Sequence, residues 1–202
     1  NPKKQIVVYV GSDNDYFYPR KVKVETDVLF YGSYQPLQGV NVIIKAASSL
    51  PKIKFKLIGE GQTRKYAEGQ VRSLNLKNVE FINWLPLEKL AEEISKAKIC
   101  LGIFSKSPKA DIVIPNKVFD YLALAKPVIT ADTQAIKELL KNNKNAVLVP
   151  VENHQALASA ILELTNNLKK QQKISKSGHN LFLNLSDKKF FVNNLILKFG
   201  KL

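Results

Sequence analysis

From Val28 onward, short β-branched apolar runs alternate with stretches whose apolar residues recur every three or four positions. Val28-Leu29-Phe30-Tyr31 is apolar at every position and stops at Gly32, the pattern of a strand covered on both faces. After Gly39, the residues Val40, Val42-Ile43-Ile44, Ala46-Ala47 and Leu50 follow helical spacing up to Pro51. Phe55 to Ile58 predicts the next strand, ending in Gly59-Glu60-Gly61, with a helix over 63–74 and a strand from Val79 to Ile82 after it. Pro86 opens a helix through Leu90 and Ile94 to Lys96, with Glu88 early, as the helix dipole prefers. Ile99 to Phe104 is the most apolar run and predicts a central strand; Pro115 then precedes a helix from Asn116 to Leu124. Two further strands, Pro127 to Thr130 and Ala146 to Val149, flank a helix from Ala135 to Leu140. Everything after Asn153 reads as helix, including Leu157 to Leu168 and Phe190 to Leu197.

Six strand–helix repeats of this length predict a doubly wound, Rossmann-like parallel α/β sheet with helices on both faces. Three segments follow: a lead strand and linker over 1–26, with Ile6 to Val10 strand-like; one domain over 27–177; and a helical tail over 178–202. The tail holds Phe182, Leu185, Phe190, Phe191, Leu195, Ile196, Leu197 and Phe199. Such residues either cap this domain's own core or lie against a further domain.

Composition narrows the class. The chain has 202 residues, 45% hydrophobic and 24% charged, enough for one good core. No apolar run approaches the roughly 20 residues a membrane-spanning helix needs. A polar start and the lack of any Met make the chain read as a piece of a longer protein. The single Cys100, inside an apolar strand, reads as an inert buried thiol and fits a reducing compartment. His154 and His179 stand apart without neighbours at metal-ligand spacing, so no structural zinc site is expected. The net charge of +14 is spread along the chain, with clusters at Lys3-Lys4, Lys52 to Lys56, Lys169-Lys170 and Lys188-Lys189. It has three readings: a solvated surface, a face toward anionic membrane, or a nucleic-acid module. The last ranks behind the others, because no recognition helix, RNP-like strand or zinc finger is present.

In a doubly wound sheet, ligands bind at the carboxyl ends of the strands, near helix N-termini that attract phosphate. Four loops fall there. The first runs from Tyr31 to Gly39, where Gly32 allows close backbone approach and Ser33 offers a hydroxyl. The second is Gly59-Glu60-Gly61-Gln62-Thr63-Arg64-Lys65, glycines followed by cations at a helix start. The third, Asn83-Trp84-Leu85-Pro86, carries the only tryptophan, which either borders a base or sugar or packs into the core. The fourth spans Asp111 to Tyr121 and includes Ile114-Pro115-Asn116-Lys117-Val118 and Asp120. There Lys117 sits in a first turn, against the helix dipole, which points to an anionic ligand or an idle surface lysine. Asp120, three residues on, accepts from a ribose diol or pairs with Lys117 at the surface. Together the loops describe a nucleotide-diphosphate pocket, without the G-x-G-x-x-G dinucleotide fingerprint.

At these residues the chain resembles a known family. Phe30 to Val40 is similar to the "GSxxxLQG" loop of a branch of glycosyltransferase family 4, and Leu57 to Gln62 to the "IGxG" element that follows. Asn78 to Pro86 resembles "NVxFxGWxP", with Asn83 for the usual glycine; Ile114 to Ala123 followed by Lys126-Pro127-Val128-Ile129 resembles "IPNKxxExxAxGKPVI". The lead, Val8 to Asp13 through Tyr18-Pro19, is similar to the segment entering the C-terminal domain of these enzymes. The resemblance runs from about Ile6 to Leu168 in the family's order. It implies the C-terminal, donor-binding half of a GT-B glycosyltransferase of the glycosyl transferases group 1 type. Such enzymes transfer a sugar from a nucleotide diphosphate sugar with retention, to a glycan or lipid-linked acceptor held with the N-terminal domain, and the resemblance implies no bound metal and no cofactor beyond that substrate. The implied setting is surface polysaccharide or lipopolysaccharide assembly in the cytoplasm, peripheral to the inner membrane face, with no nucleic-acid partner. By resemblance the donor site comprises Gly32, Ser33, Gly59, Gly61, Arg64, Lys65, Asn83, Trp84, Leu85, Ile114, Pro115, Asn116, Lys117, Val118 and Asp120.

Departures from the family pattern matter. Ser33 and Gln38 stand where many members carry an arginine and a lysine on the diphosphate, which leaves Arg64, Lys65, Lys109 and Lys117 as candidates. Ile112 replaces a glutamate used on the sugar side, and Asp120 is a shortened form of the ribose-binding glutamate. These departures motivate a rival reading, a degenerate donor domain acting as scaffold or regulator.

Overall fold

The computed structural model describes residues 9–185. Six parallel strands form one sheet: β1 (Thr26–Tyr31), β2 (Phe55–Ile58), β3 (Val79–Ile82), β4 (Ala97–Leu101), β5 (Val128–Ala131) and β6 (Val147–Val149), in the order β3-β2-β1-β4-β5-β6. The helices are α1 (Val40–Ser48), α2 (Arg64–Ser73), α3 (Leu87–Ser95), α4 (Pro108–Ile112), α5 (Asn116–Ala123), α6 (Gln134–Leu139), α7 (His154–Asn166) and α8 (Leu168–Leu185). Alternate residues feed two cores. Val28, Phe30, Phe55, Leu57, Ile99 and Leu101 join Ile43, Ile44 and Ile161 of α1 and α7 on one face. Leu29, Ile58, Cys100 and Val128 join Leu90, Ile94, Phe119 and Leu122 of α3 and α5 on the other. Burial pushes the Cys100 thiol up to about 12, so it stays protonated and inert.

This strand order reverses direction between β1 and β4, the switch point where the loops of the two half-sheets part. β1 and β4 keep register only as far as Leu29 and Cys100. Beyond that the buried Tyr121 hydroxyl spans the gap, accepting from the Tyr31 amide (3.3 Å) and donating to the Leu101 carbonyl (3.2 Å). Tyr121→Phe is therefore expected to orphan both groups at a cost of about 1–3 kcal/mol. Thermal unfolding followed by circular dichroism should show a drop of roughly 2–4 °C per kcal/mol; an unchanged midpoint would refute this role.

Several boundaries differ from the sequence expectation. The strand expected to reach Phe104 ends at Leu101, because the chain leaves the sheet: the Phe104 amide donates to Gln38 carbonyl (3.1 Å) and its carbonyl accepts from Glu152 (2.8 Å). Tyr9 and Val10 are not in a strand; residues 6–8 of that expected strand lie outside the described residues, as do Lys3-Lys4, Lys188-Lys189 and the helix Phe190 to Leu197. The short helix α4 was not anticipated; Ser107 caps it by accepting from the Ala110 amide (3.0 Å).

The lead and the start of the tail share the cores. Phe17 is buried with Leu29 and Val118, and α8 runs without interruption across 177. Gly178 lets α8 close on α5: a Cβ there would meet the Leu122 side chain at 2.7 Å. Phe182 is buried beside it, which follows the first of the two readings of the tail for the part described.

Candidate functional site

The carboxyl ends of β1, β2 and β3 surround a pocket of about 380 Å³, lined by Tyr31, Gly32, Ser33, Ile58, Gly59, Glu60, Trp84, Leu85, Leu87 and Leu90. Three of the four loops singled out from sequence thus meet. The fourth reaches the same place from beneath through Lys117. A Cβ built on Gly32 would lie 2.7 Å from Lys117 Nζ and 2.5 Å from Gln38 Oε1. Any larger residue there would have to displace the ends of two polar side chains that occupy the space beside its Cα.

Lys117 differs from the exposed cation the sequence allowed. It is 4% exposed, its Nζ lies 3.9 Å from the Phe30 ring centroid, and it has no hydrogen-bond partner among the described residues. Burial alone holds its pKa well below the usual lysine range. Gln38 Oε1 is likewise buried and unpartnered, while Gln38 Nε2 donates weakly to Ser33 Oγ (3.4 Å). An ammonium short of acceptors beside a hydroxyl and an amide is a place prepared for an anion.

Asp120 does not pair with Lys117, contrary to the surface ion-pair reading. Ser12 Oγ donates to its Oδ1 (2.5 Å) and the Tyr31 hydroxyl donates to its Oδ2. Burial raises the Asp120 pKa and the two hydrogen bonds oppose that shift. Burial first, then Asp120, lifts the Tyr31 phenol well above its usual value, so it remains a donor. A carboxylate already holding two hydroxyl donors has the geometry for a vicinal diol.

Gly59 (φ +117°) and Gly61 (φ +142°) serve the fold. A Cβ on either would overlap the Gly32 or the Ser33 carbonyl oxygen, so these glycines permit one loop's backbone to rest on the other's. Arg64, expected to face phosphate, is turned inward and is committed elsewhere. Its guanidinium donates to the Gly59 and Ile82 carbonyls and to Glu68 Oε1 (2.7 Å), and stacks on Phe81 at 4.6 Å. That clasp ties β2 to β3, and the reason is the pair of carbonyls left open where the strands end. Lys65 and Lys109 are exposed, Lys109 on α4.

Trp84 is 69% exposed at the pocket rim, which removes the core-packing reading; Asn83 beside it is exposed too. Pro115 begins α5, its carbonyl accepting from the Val118 amide (2.9 Å); Asn116 is exposed and Val118 is core. Ile114 and the 77%-exposed Ile112 belong to a separate hollow of about 310 Å³ with Tyr9, Val10 and Phe119. Sequence reasoning placed Tyr31, Glu60 and Tyr121 in the candidate loops without giving any of them a role, and did not connect Ser12 with the site. Only Tyr31 had a signal, as the last residue of a strand whose next residue is glycine. Among the described residues no group of three His, Cys, Asp or Glu side chains converges, and no helix is long and apolar enough to cross a membrane.

The profile of the family described as Glycosyl transferases group 1 matches residues 12–181. An uncharacterized glycosyltransferase of Methanocaldococcus jannaschii is 28% identical over 178 residues, 87% of this chain and 48% of that protein. A chitobiosyldiphosphodolichol beta-mannosyltransferase of Yarrowia lipolytica is 26% identical over 152 residues, 71% of this chain and 32% of that protein. The chain therefore spans about half the length of the first of these relatives and a third of the second. Anabaena HepE, crystallised with UDP and glucose, superposes with a TM-score of 0.84 over 98% of this chain and 57% of that one, at 17% identity. At that identity the likeness is one of fold: the Rossmann-like half of the GT-B architecture.

Proposed function

The chain belongs to the glycosyl transferases group 1 family, and from that premise we propose that it is the donor-binding half of a retaining glycosyltransferase. One observation carries this reading. Among the described residues Lys117 Nζ is buried without a partner at Gly32, at the switch point of the sheet, where a diphosphate would supply the missing acceptors. Gly32 and Ser33 line the diphosphate's path with Lys117 beneath them, and Asp120 holds the ribose hydroxyls. Each Asp120 oxygen accepts one protein hydroxyl, from Ser12 or Tyr31, and keeps a further lone pair for a pentose hydroxyl. The base enters between Gly59-Glu60 and Trp84-Leu85. As the sugar leaves, charge accumulates on the diphosphate, and a preplaced ammonium in a water-poor site stabilises it.

The donor is thus a nucleotide diphosphate sugar. The acceptor is a glycan or lipid-linked glycan, as the name of the Yarrowia relative illustrates for that enzyme. It would be held by an N-terminal domain, so this chain alone is expected to bind donor without turnover. The net charge of +14 suits work beside an anionic membrane surface.

Titration calorimetry of the chain with UDP, GDP and ADP tests the reading. Binding of at least one nucleotide is expected, with Asp120→Ala weakening it by about tenfold to a hundredfold, the worth of one or two charge-assisted hydrogen bonds. Absence of binding at millimolar concentration would favour a scaffold role, the reading that Ser33, Gln38 and Ile112 motivate.

A further inference from the structure

The pocket is chemically lopsided. Gly32 and Ser33 form one end, beside Lys117; Ile58, Leu85, Leu87, Leu90 and the exposed Trp84 form the other. Glu60 is the only charged side chain in the lining. It is exposed, and no described residue pairs with it. Its backbone is nevertheless fixed. Gly59 and Gly61 on either side rest on the Gly32 and Ser33 carbonyls, and Arg64 grips the Gly59 carbonyl from behind. A rigid turn thus presents an unpaired carboxylate at the rim of an apolar slot.

An ionised carboxylate accepts hydrogen bonds and donates none. It binds best to two parallel N–H groups. Guanine offers that pair, N1–H and the N2 amino group, side by side on its Watson–Crick edge. Uracil presents a single N3–H between two carbonyls, which would face the carboxylate as like partial charges. Adenine and cytosine each present one amino donor beside a ring-nitrogen acceptor. Near the diphosphate a carboxylate would repel the ligand, so its useful position is at the base.

Resting on the donor-site reading above, we propose that Glu60 makes this site selective for guanine nucleotides, the carboxylate receiving N1–H and N2–H of the base while Trp84 and Leu85 border its face. The donor is then a GDP-sugar.

The test is a calorimetric panel of GDP, IDP, UDP, ADP and CDP against the 202-residue chain and its Glu60→Gln variant. GDP is expected to bind about tenfold or more tighter than UDP, the discrimination one bidentate pair provides. IDP, which lacks only the N2 amino group, should bind several-fold more weakly than GDP, as roughly one hydrogen bond predicts. Glu60→Gln, an exposed and near-isosteric change, should bring GDP, IDP and UDP to within about twofold of one another, since it removes the charge that ranks them. UDP binding as tightly as GDP, or a GDP preference that survives Glu60→Gln, overturns the assignment while leaving the donor site standing. Binding of no nucleotide at all overturns the donor site itself, and this inference with it.

Discussion

Gly61→Ala is expected to cost the fold about 4 kcal/mol or more and to abolish nucleotide binding at temperatures where the native chain is intact. Two effects add. A φ of +142° is foreign to a residue with a Cβ, at about 1–3 kcal/mol. The new methyl would also overlap the Ser33 carbonyl oxygen, which belongs to backbone and has no rotamer by which to retreat. Relief requires the β2 loop to lift from the β1 loop, and that movement opens the pocket the two loops share. Against a total stability of roughly 5–15 kcal/mol the loss is large. Urea unfolding monitored at Trp84 should show the midpoint fall; a variant as stable as the native chain would show that the two loops are not pressed together. Gly69 on α2, where a Cβ would meet only the Arg72 guanidinium in ordinary contact at 4.0 Å, is the control: alanine there should be neutral or stabilising by up to about 1 kcal/mol.

Lys117→Met is expected to move stability and binding in opposite directions. Among the described residues the buried Lys117 amine has no acceptor, and the Phe30 face repays only part of the cost of charging it. An apolar side chain of similar length removes that penalty, about 1–3 kcal/mol, and should raise the melting temperature by roughly 2–4 °C per kcal/mol. Diphosphate binding should fall by about two to three orders of magnitude, the cost of deleting one partner of a buried charge pair. A variant that melts lower, or that binds nucleotide as the native chain does, contradicts the role given to this lysine.

The pH dependence has a definite sign. The folded pKa of Lys117 lies below the unfolded value of 10.5, so the unfolded chain binds more protons across that window. Its contribution to stability accordingly rises with pH from the depressed folded pKa up to 10.5. The difference in melting temperature between Lys117→Met and the native chain should therefore shrink as pH increases through the alkaline range. Asp120 acts oppositely and in acid: burial raises its folded pKa above 3.8, so its contribution is present below that value and is lost as pH rises through the folded pKa. Subtracting the two melting curves cancels the Asp120 contribution and isolates the lysine.

The sheet was legible from the chain because strand and helix periods are local. Phe55–Ile58 and Val79–Ile82 each set three apolar residues around one charged one and are closed by turn residues, and the structure returns both with the same limits. The loops of the site were legible too, since glycine, proline and polar residues punctuate strand ends. What each side chain in them does was not. Gly32, Gly59 and Gly61 looked alike in sequence; one makes room for Lys117 and Gln38, and two permit backbone to rest on backbone. Arg64 and Lys117 looked like equivalent cations at helix starts; one clasps β2 to β3 and the other lies unpaired under β1. Ser12 meets Asp120 across 108 residues of chain, a distance that no local pattern encodes. Sequence by itself determined which segments become strands and helices and where the chain turns, because those choices rest on periodicity and backbone preference within a few residues. Tertiary structure alone decided which polar atoms are satisfied and which are left open, because hydrogen-bond balance is settled only when segments distant in the chain are brought together and water is driven out.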